Sequence, residues 1–389
     1  MTAKKIIRQL HLWLGLVSGL VVLVVTLSGA VLVFEKEIDH LASAGLYFVE
    51  PGAQRLPVDS LKKQAERYNP AMKLVRVEME PHAANRTALF FGKEGSVTWM
   101  LAINPYTGAV IKAVDYEKRF FRIMLNLHRY LLANEVGKAV TGVSCLIFLA
   151  LIVSGIVLWW PRRWKYFRQR TTIKWSGSFK RVVWDMHAAG GFYVHLLIFV
   201  IALTGLTWSY KWFNNAIFLF FDGKPMVAYK APANKVQQPP AAGFYEQVYQ
   251  QANRELAYKG LMVIQFPPSD SVSVTVTKEN YEARITNVVD FIYYEQGTGN
   301  LLQKRLYKDQ STGMKVRRAV YPIHTGEIFG WPTKLLALLA CLVAASLPVT
   351  GLLIWLKGAR GGEPKKKVKR KRIVLHTLAE VEAARINKG

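Results

Sequence analysis

Four runs of this 389-residue chain contain no Lys, Arg, Asp or Glu: residues 12–34, 139–161, 188–210 and 335–356. A helix needs roughly 20 apolar residues to cross the hydrocarbon of a bilayer. Within lipid the backbone must satisfy its own hydrogen bonds, so a run of this length reads as a helix. The pattern predicts four spanning helices. Lys4, Lys5 and Arg8 precede the first run, as they would in a secretory signal. That run exceeds the apolar core of a signal peptide and ends in Phe34-Glu35-Lys36 rather than at small residues, so an uncleaved span is expected.

The net charge of +26 is concentrated at the ends of these runs. Residues 1–11, 162–186 and 357–389 hold 22 of the 52 basic residues but only 4 of the 26 acidic ones. Basic residues beside spans stay in the cytoplasm. Both termini and the 162–186 loop are therefore expected inside, with 35–138 and 211–334 outside. The run Lys365-Lys366-Lys367-Val368-Lys369-Arg370-Lys371-Arg372 reads as an anchor for anionic headgroups of the bilayer. No nucleic-acid partner is expected. The two cysteines, Cys145 and Cys341, both lie in spans, which excludes a disulfide framework outside.

Matched intervals then divide the chain. His11 precedes Gly29 by 18 residues, and His187 precedes Gly205 by 18. His128 precedes Gly155 by 27, and His324 precedes Gly351 by 27. Each glycine follows Ser or Thr: Ser28, Ser154, Thr204 and Thr350. Cys145 and Cys341 each stand 17 residues after their histidine, and Trp159 and Trp355 each stand four after their glycine. The pattern implies an internal duplication with halves 1–175 and 176–389, in parallel orientation. Small residues in spans allow close helix approach.

Outside the membrane the repeat continues. Residues 57–70 and 241–257 read as amphipathic helices. Strand-like alternation follows at 97–103 and 271–276, and turns occur at Tyr106-Thr107-Gly108 and Gly297-Thr298-Gly299. The Pro-containing linker 230–243 reads as extended. The expected plan has eight parts. Residues 1–34 form the cytoplasmic N-terminus and first span, and 35–125 a small α+β domain. Residues 126–161 form a His-bearing segment with the second span, and 162–186 a basic loop. The third span is 187–210, and 211–320 is a second α+β domain. Residues 321–356 form a His-bearing segment with the fourth span, and 357–389 a basic tail.

By this topology His11 and His187 lie at the cytoplasmic edge of the bundle, and His128 and His324 at the external edge. Ionisable groups at membrane depth are costly and mark function. Two imidazoles from different helices suit the axial positions of a haem iron. With both positions filled, such a site transfers electrons and does not bind oxygen. Zinc, which gathers four ligands in one cluster, suits separated pairs poorly. His195, eight residues after His187, is an alternative inner ligand, about 12 Å further along the helix. Arg8 and Arg129 are candidate partners for haem propionates. Gly15, Gly190 and Gly191 would leave room for a porphyrin face or simply let helices pack. No Gly-rich flavin or nicotinamide loop is evident, so the electron donor is expected to be quinol or a separate cytoplasmic reductase.

The motifs Leu10-His11-Leu12-Trp13-Leu14-Gly15-Leu16, Leu127-His128-Arg129, Gly155-Ile156-Val157-Leu158-Trp159-Trp160-Pro161, Asp185-Met186-His187 and His324-Thr325-Gly326-Glu327-Ile328-Phe329-Gly330 resemble the PepSY-associated transmembrane helix family. Asn104-Pro105-Tyr106-Thr107-Gly108 is similar to the turn of a PepSY domain. The resemblance covers nearly the whole chain apart from its basic tail. Here His187 is followed by Ala188-Ala189-Gly190 rather than a bulkier pair, and His195 is additional.

The resemblance implies a four-helix membrane bundle with two PepSY-like extracytoplasmic domains in a bacterial inner membrane. It further implies two haem b groups on His11, His128, His187 and His324. Members include iron-regulated proteins and haem-containing ferric-siderophore reductases, so the expected activity is reduction of a ferric siderophore or other Fe(III) chelate. Two other functions remain open: a non-enzymatic membrane protein whose external domains bind a peptide or envelope partner, and a haem subunit serving another reductase.

Overall fold

The computed structural model describes residues 2–235 and 240–359. The basic run 365–372 and His376 lie outside the described residues, as do residues 236–239 of the linker 230–243. The first half runs α1 (Ala3–Leu32), α2 (Glu35–Ala42), α3 (Ala44–Tyr47), α4 (Val58–Tyr68), β1 (Lys73–Met79), β2 (Ala88–Glu94), β3 (Val97–Ile103), β4 (Val110–Asp115), α5 (Phe120–Tyr130) and α6 (Asn134–Trp159). The short α7 (Phe167–Thr171) closes the first half, and the second half runs α8 (Phe179–Ser209), α9 (Lys211–Asp222), α10 (Phe244–Glu255), β5 (Met262–Gln265), β6 (Val274–Glu279), β7 (Val289–Tyr294), β8 (Leu301–Arg305), α11 (Thr312–Thr325) and α12 (Trp331–Ala359).

Among the described residues four helices, α1, α6, α8 and α12, are long and apolar enough to cross a membrane. The chain is a membrane protein. These helices contain 30, 26, 31 and 29 residues, and roughly 20 would suffice for the hydrocarbon. Their N-terminal ends begin before the charge-free runs. The largest difference from the sequence expectation is at α8, which starts at Phe179 inside the segment read as a loop. The Ser178 hydroxyl accepts from the Arg181 amide, and Arg181 pairs with Asp185 at 2.8 Å one turn on. An N-cap and an i,i+4 pair extend the helix outward through polar sequence.

Helix α1 packs on α6 and α12, and α8 packs on the same two. Thus α1 and α8 stand at opposite corners of the bundle. The shorter α5 and α11 precede α6 and α12 and begin earlier than the sequence suggested. In the first half the chain turns from α5 into α6 through Leu131, Leu132 and Asn134, all with positive φ. In the second half Gly326 and Gly330 serve this turn, at less steric cost.

Outside the four long helices the chain forms one eight-stranded antiparallel sheet, in the order β4-β3-β2-β1-β5-β6-β7-β8. The two α+β units expected from the sequence thus share one continuous sheet. Strands β1 and β5 pair directly, Val77 opposite Ile264 and Met79 opposite Met262. Pairing removes an exposed edge from each half-sheet. Helices α4 and α10 pack together on one face of the sheet. They bury Leu61, Ala65, Val248 and Ala252 against Val77, Phe90, Ile264 and Ile292. Each helix caps the other: Asp59 accepts from the Glu246 amide at 2.8 Å, and Glu246 accepts from the Val58 amide at 2.9 Å. Arg55 joins them, 2.6 Å from Glu246. Opposite this core, the second face of the sheet looks toward the membrane helices.

Candidate functional site

His11 on α1 and His187 on α8 face each other across the bundle, with ring centres 6.4 Å apart and planes at 90°. His128 on α5 and His324 on α11 form a second pair, 6.1 Å apart at 64°. A metal–imidazole bond is about 2.0 Å, and a ring centre lies about 1.1 Å behind its nitrogen. Two imidazoles on opposite sides of one metal therefore have centres about 6.2 Å apart. Both pairs match that spacing. Among the described residues no third His, Cys, Asp or Glu joins either pair. Two ligands leave a metal's other positions to a group that the chain does not supply, as a porphyrin does with its four nitrogens.

The second nitrogen of each ring is anchored. His128 Nδ1 lies 2.9 Å from the Val25 carbonyl, and His324 Nδ1 lies 2.8 Å from the Ile201 carbonyl. A carbonyl only accepts, so in both rings Nδ1 carries the proton and Nε2 presents a lone pair. His11 Nδ1 lies 2.8 Å from Ser154 Oγ, and His187 Nδ1 lies 2.9 Å from Thr350 Oγ1. Each hydroxyl proton is already committed within its own helix, Ser154 to the Leu151 carbonyl and Thr350 to the Ser346 carbonyl. The hydroxyl oxygens accept from Nδ1–H, and again Nε2 is the free donor of electrons. Fixing the tautomer and the ring orientation in this way is the usual role of groups behind a metal ligand.

One contact repeats at all four places. Every histidine packs against a Ser/Thr-Gly pair on a neighbouring helix. A Cβ on Gly29 would stand 3.1 Å from the His128 ring, and one on Gly205 3.3 Å from His324. On Gly155 and Gly351 it would stand 3.4 Å from His11 and His187. Sequence reasoning assigned these dipeptides to helix packing. Their recurrence at matched offsets from the histidines was the available signal that they are histidine seats.

His195 Nδ1 turns back to the Phe192 carbonyl of its own helix, and the His195 ring lies along Phe192. Phe192 in turn stacks on Trp159 at 3.9 Å. Trp208 lies 5.0 Å from His324. Arg8 is exposed one turn before His11. The Arg129 guanidinium lies 5.0 Å from the centre of the Tyr130 ring. Neither has a carboxylate partner among the described residues. A Cβ on Gly190 would stand 3.3 Å from Val343, a tight approach, whereas on Gly15 and Gly191 it would meet Leu151 and Leu347 only at ordinary contact distances of 3.9 and 3.7 Å. His40 belongs to the external region, 4.4 Å from Tyr47.

Comparison with curated proteins returned no match. The model of the PepSY-associated TM region matches residues 8–358, which include both histidine pairs, all four spanning helices and the external sheet. The chain belongs to the family of the PepSY-associated TM region.

Proposed function

We propose that this protein carries electrons across a bacterial inner membrane and reduces an extracytoplasmic acceptor, a ferric siderophore or related Fe(III) chelate. The observation carrying this reading is the pair of facing histidine couples, each spaced for one intervening iron and each anchored at Nδ1. His11 and His187 would hold one haem b, and His128 and His324 another. When bound, each haem would supply one-electron redox chemistry. The chain's own part is to present Nε2, to hold the proton on Nδ1, and to exclude water by packing α1, α6, α8 and α12 around the pairs. Both termini are read as cytoplasmic from the basic segments, and the sheet as periplasmic with two PepSY-like halves. The shared order of helices and strands in residues 1–175 and 176–389 supports a duplicated unit as its origin.

Electrons enter on the cytoplasmic side from quinol or a separate reductase. At the external side, reduction weakens the hold of hard oxygen ligands on iron, which releases the metal. The test is a pyridine haemochrome assay and absorption spectrum of the purified protein. Two haems per chain are expected, with His128→Ala or His324→Ala retaining one. A colourless protein from haem-replete membranes would overturn the reading in favour of a peptide-binding role. A haem-loaded protein that ferric chelates do not reoxidise would instead favour a subunit of another reductase.

A further inference from the structure

Between the sheet and the external ends of the membrane helices lies a cavity of about 230 Å³. Two helices place it above the outer pair. On α5, Arg122 in its wall precedes His128 by six residues. Glu35, also in its wall, follows Gly29 by six, and Gly29 is the residue packed against the His128 ring. Along α5 six residues correspond to roughly 9 Å of helical rise; α1 ends at Leu32, and Glu35 opens α2 just beyond it. The far wall is the second face of the sheet, with Phe91, and Tyr281 of the loop between β6 and β7.

Most charges in this cavity are matched. Arg76 pairs with Glu78 at 2.7 Å, Arg86 with Glu80 at 3.0 Å, and Arg119 with Asp39 at 2.6 Å. Glu35 is the exception: among the described residues no hydrogen bond or ion pair reaches its carboxyl. Arg122 pairs with Glu117, but its Nε is buried without a partner. The groups facing Glu35 are Asp39 and Lys36 on its own helix, Arg119 and Arg122 at the start of α5, Tyr116 before it, and Tyr321 on α11. Burial, followed by the Asp39 carboxylate, pushes the Glu35 carboxyl up, against the opposing pull of Arg122, Arg119 and Lys36. A carboxyl raised in this way keeps a proton to give at higher pH.

We propose that this cavity receives one coordinating arm of an oxygen-ligand Fe(III) chelate and that Glu35 donates the proton that frees the arm. The inference rests on the electron-delivery reading above. One electron, drawn from quinol or the cytoplasmic reductase, converts Fe(III) to Fe(II). An iron–oxygen bond breaks with its electron pair left on the chelator oxygen, and the Glu35 proton moves to that oxygen. The resulting carboxylate is held by Arg119 and Arg122 until solvent returns a proton. The volume admits an arm of a chelate but not a whole hexadentate siderophore.

The experiment uses the full-length haem-loaded protein, reduced with dithionite and mixed with Fe(III)–acetohydroxamate or with ferricyanide. Ferricyanide takes an electron without a proton. Glu35→Gln is expected to slow reoxidation by the hydroxamate about 100-fold and to flatten its pH profile, with the ferricyanide rate unchanged. Binding of redox-inert Ga(III)–acetohydroxamate, followed by calorimetry, tests the cavity without electron transfer. It should persist in Glu35→Gln and weaken in Leu89→Trp, which fills the cavity; an unchanged ferricyanide rate checks that each variant is folded. Equal hydroxamate rates in Glu35→Gln and the parent overturn the proton role, and equal gallium binding in Leu89→Trp overturns the cavity. A parent protein reoxidised by ferricyanide but by no chelate overturns the acceptor reading itself, and this inference falls with it.

Discussion

The anchoring of Nδ1 predicts unequal effects from two serines that each precede a glycine packed against a histidine, Ser28 and Ser154. Ser154→Ala removes the one acceptor that, among the described residues, lies at hydrogen-bond distance from His11 Nδ1, a contact of 2.8 Å. Ser28→Ala removes a contact of 3.4 Å to His128 Nδ1, but the Val25 carbonyl at 2.9 Å remains. Leaving a sequestered N–H without an acceptor costs about 1–3 kcal/mol. Loss of such a group behind a metal ligand lowers affinity about 10–100-fold, the same energy since tenfold is about 1.4 kcal/mol. Ser28→Ala forfeits only the longer and weaker of two contacts, so its effect should stay below about 1 kcal/mol. Haem transfer to apomyoglobin, with separate redox titration of the two haems proposed above, measures both. Ser154→Ala should speed loss of one haem and shift one midpoint potential, while Ser28→Ala leaves both near the parent values. Equal and large effects from the two substitutions would refute the argument that carbonyl and hydroxyl anchors divide between the outer and inner pairs.

Two further outcomes concern the external sheet. Asp59→Ala removes the acceptor for the Glu246 amide at 2.8 Å, so the external region should lose about 1 kcal/mol; an unchanged denaturant midpoint would contradict the reciprocal cap. Lys278 is fully buried, donating to Asn253 Oδ1 at 2.9 Å and to the Leu256 carbonyl at 2.7 Å, with no carboxylate in ion-pair range among the described residues. Burial brings its ammonium down from 10.5 to about 8. Between those values the unfolded chain holds a proton that the folded one has released, so stability should rise with pH through this window. Lys278→Met should abolish that slope in urea titrations at successive pH values; a slope unchanged by the substitution would place its origin elsewhere.

The amino-acid sequence by itself determined the four spans, because a charge-free run of about 20 residues has one low-energy conformation in lipid. It also marked the four histidines, through offsets that recur in both halves. The strand at 97–103 and the amphipathic helices at 57–70 and 241–257 were legible from periodicity, which acts over a few neighbouring residues. The continuous sheet was not legible, since a strand's alternation says which face is buried and not which edge finds a partner. Val77 and Ile264 meet only after both halves have folded. Nor did local pattern reveal that Ser154, 143 residues from His11, supplies its acceptor, or that Glu35 faces a cavity closed by Tyr281. Such contacts depend on the relative placement of whole helices and sheets. Packing of side chains remote in the chain sets that placement, and only the tertiary structure decides it.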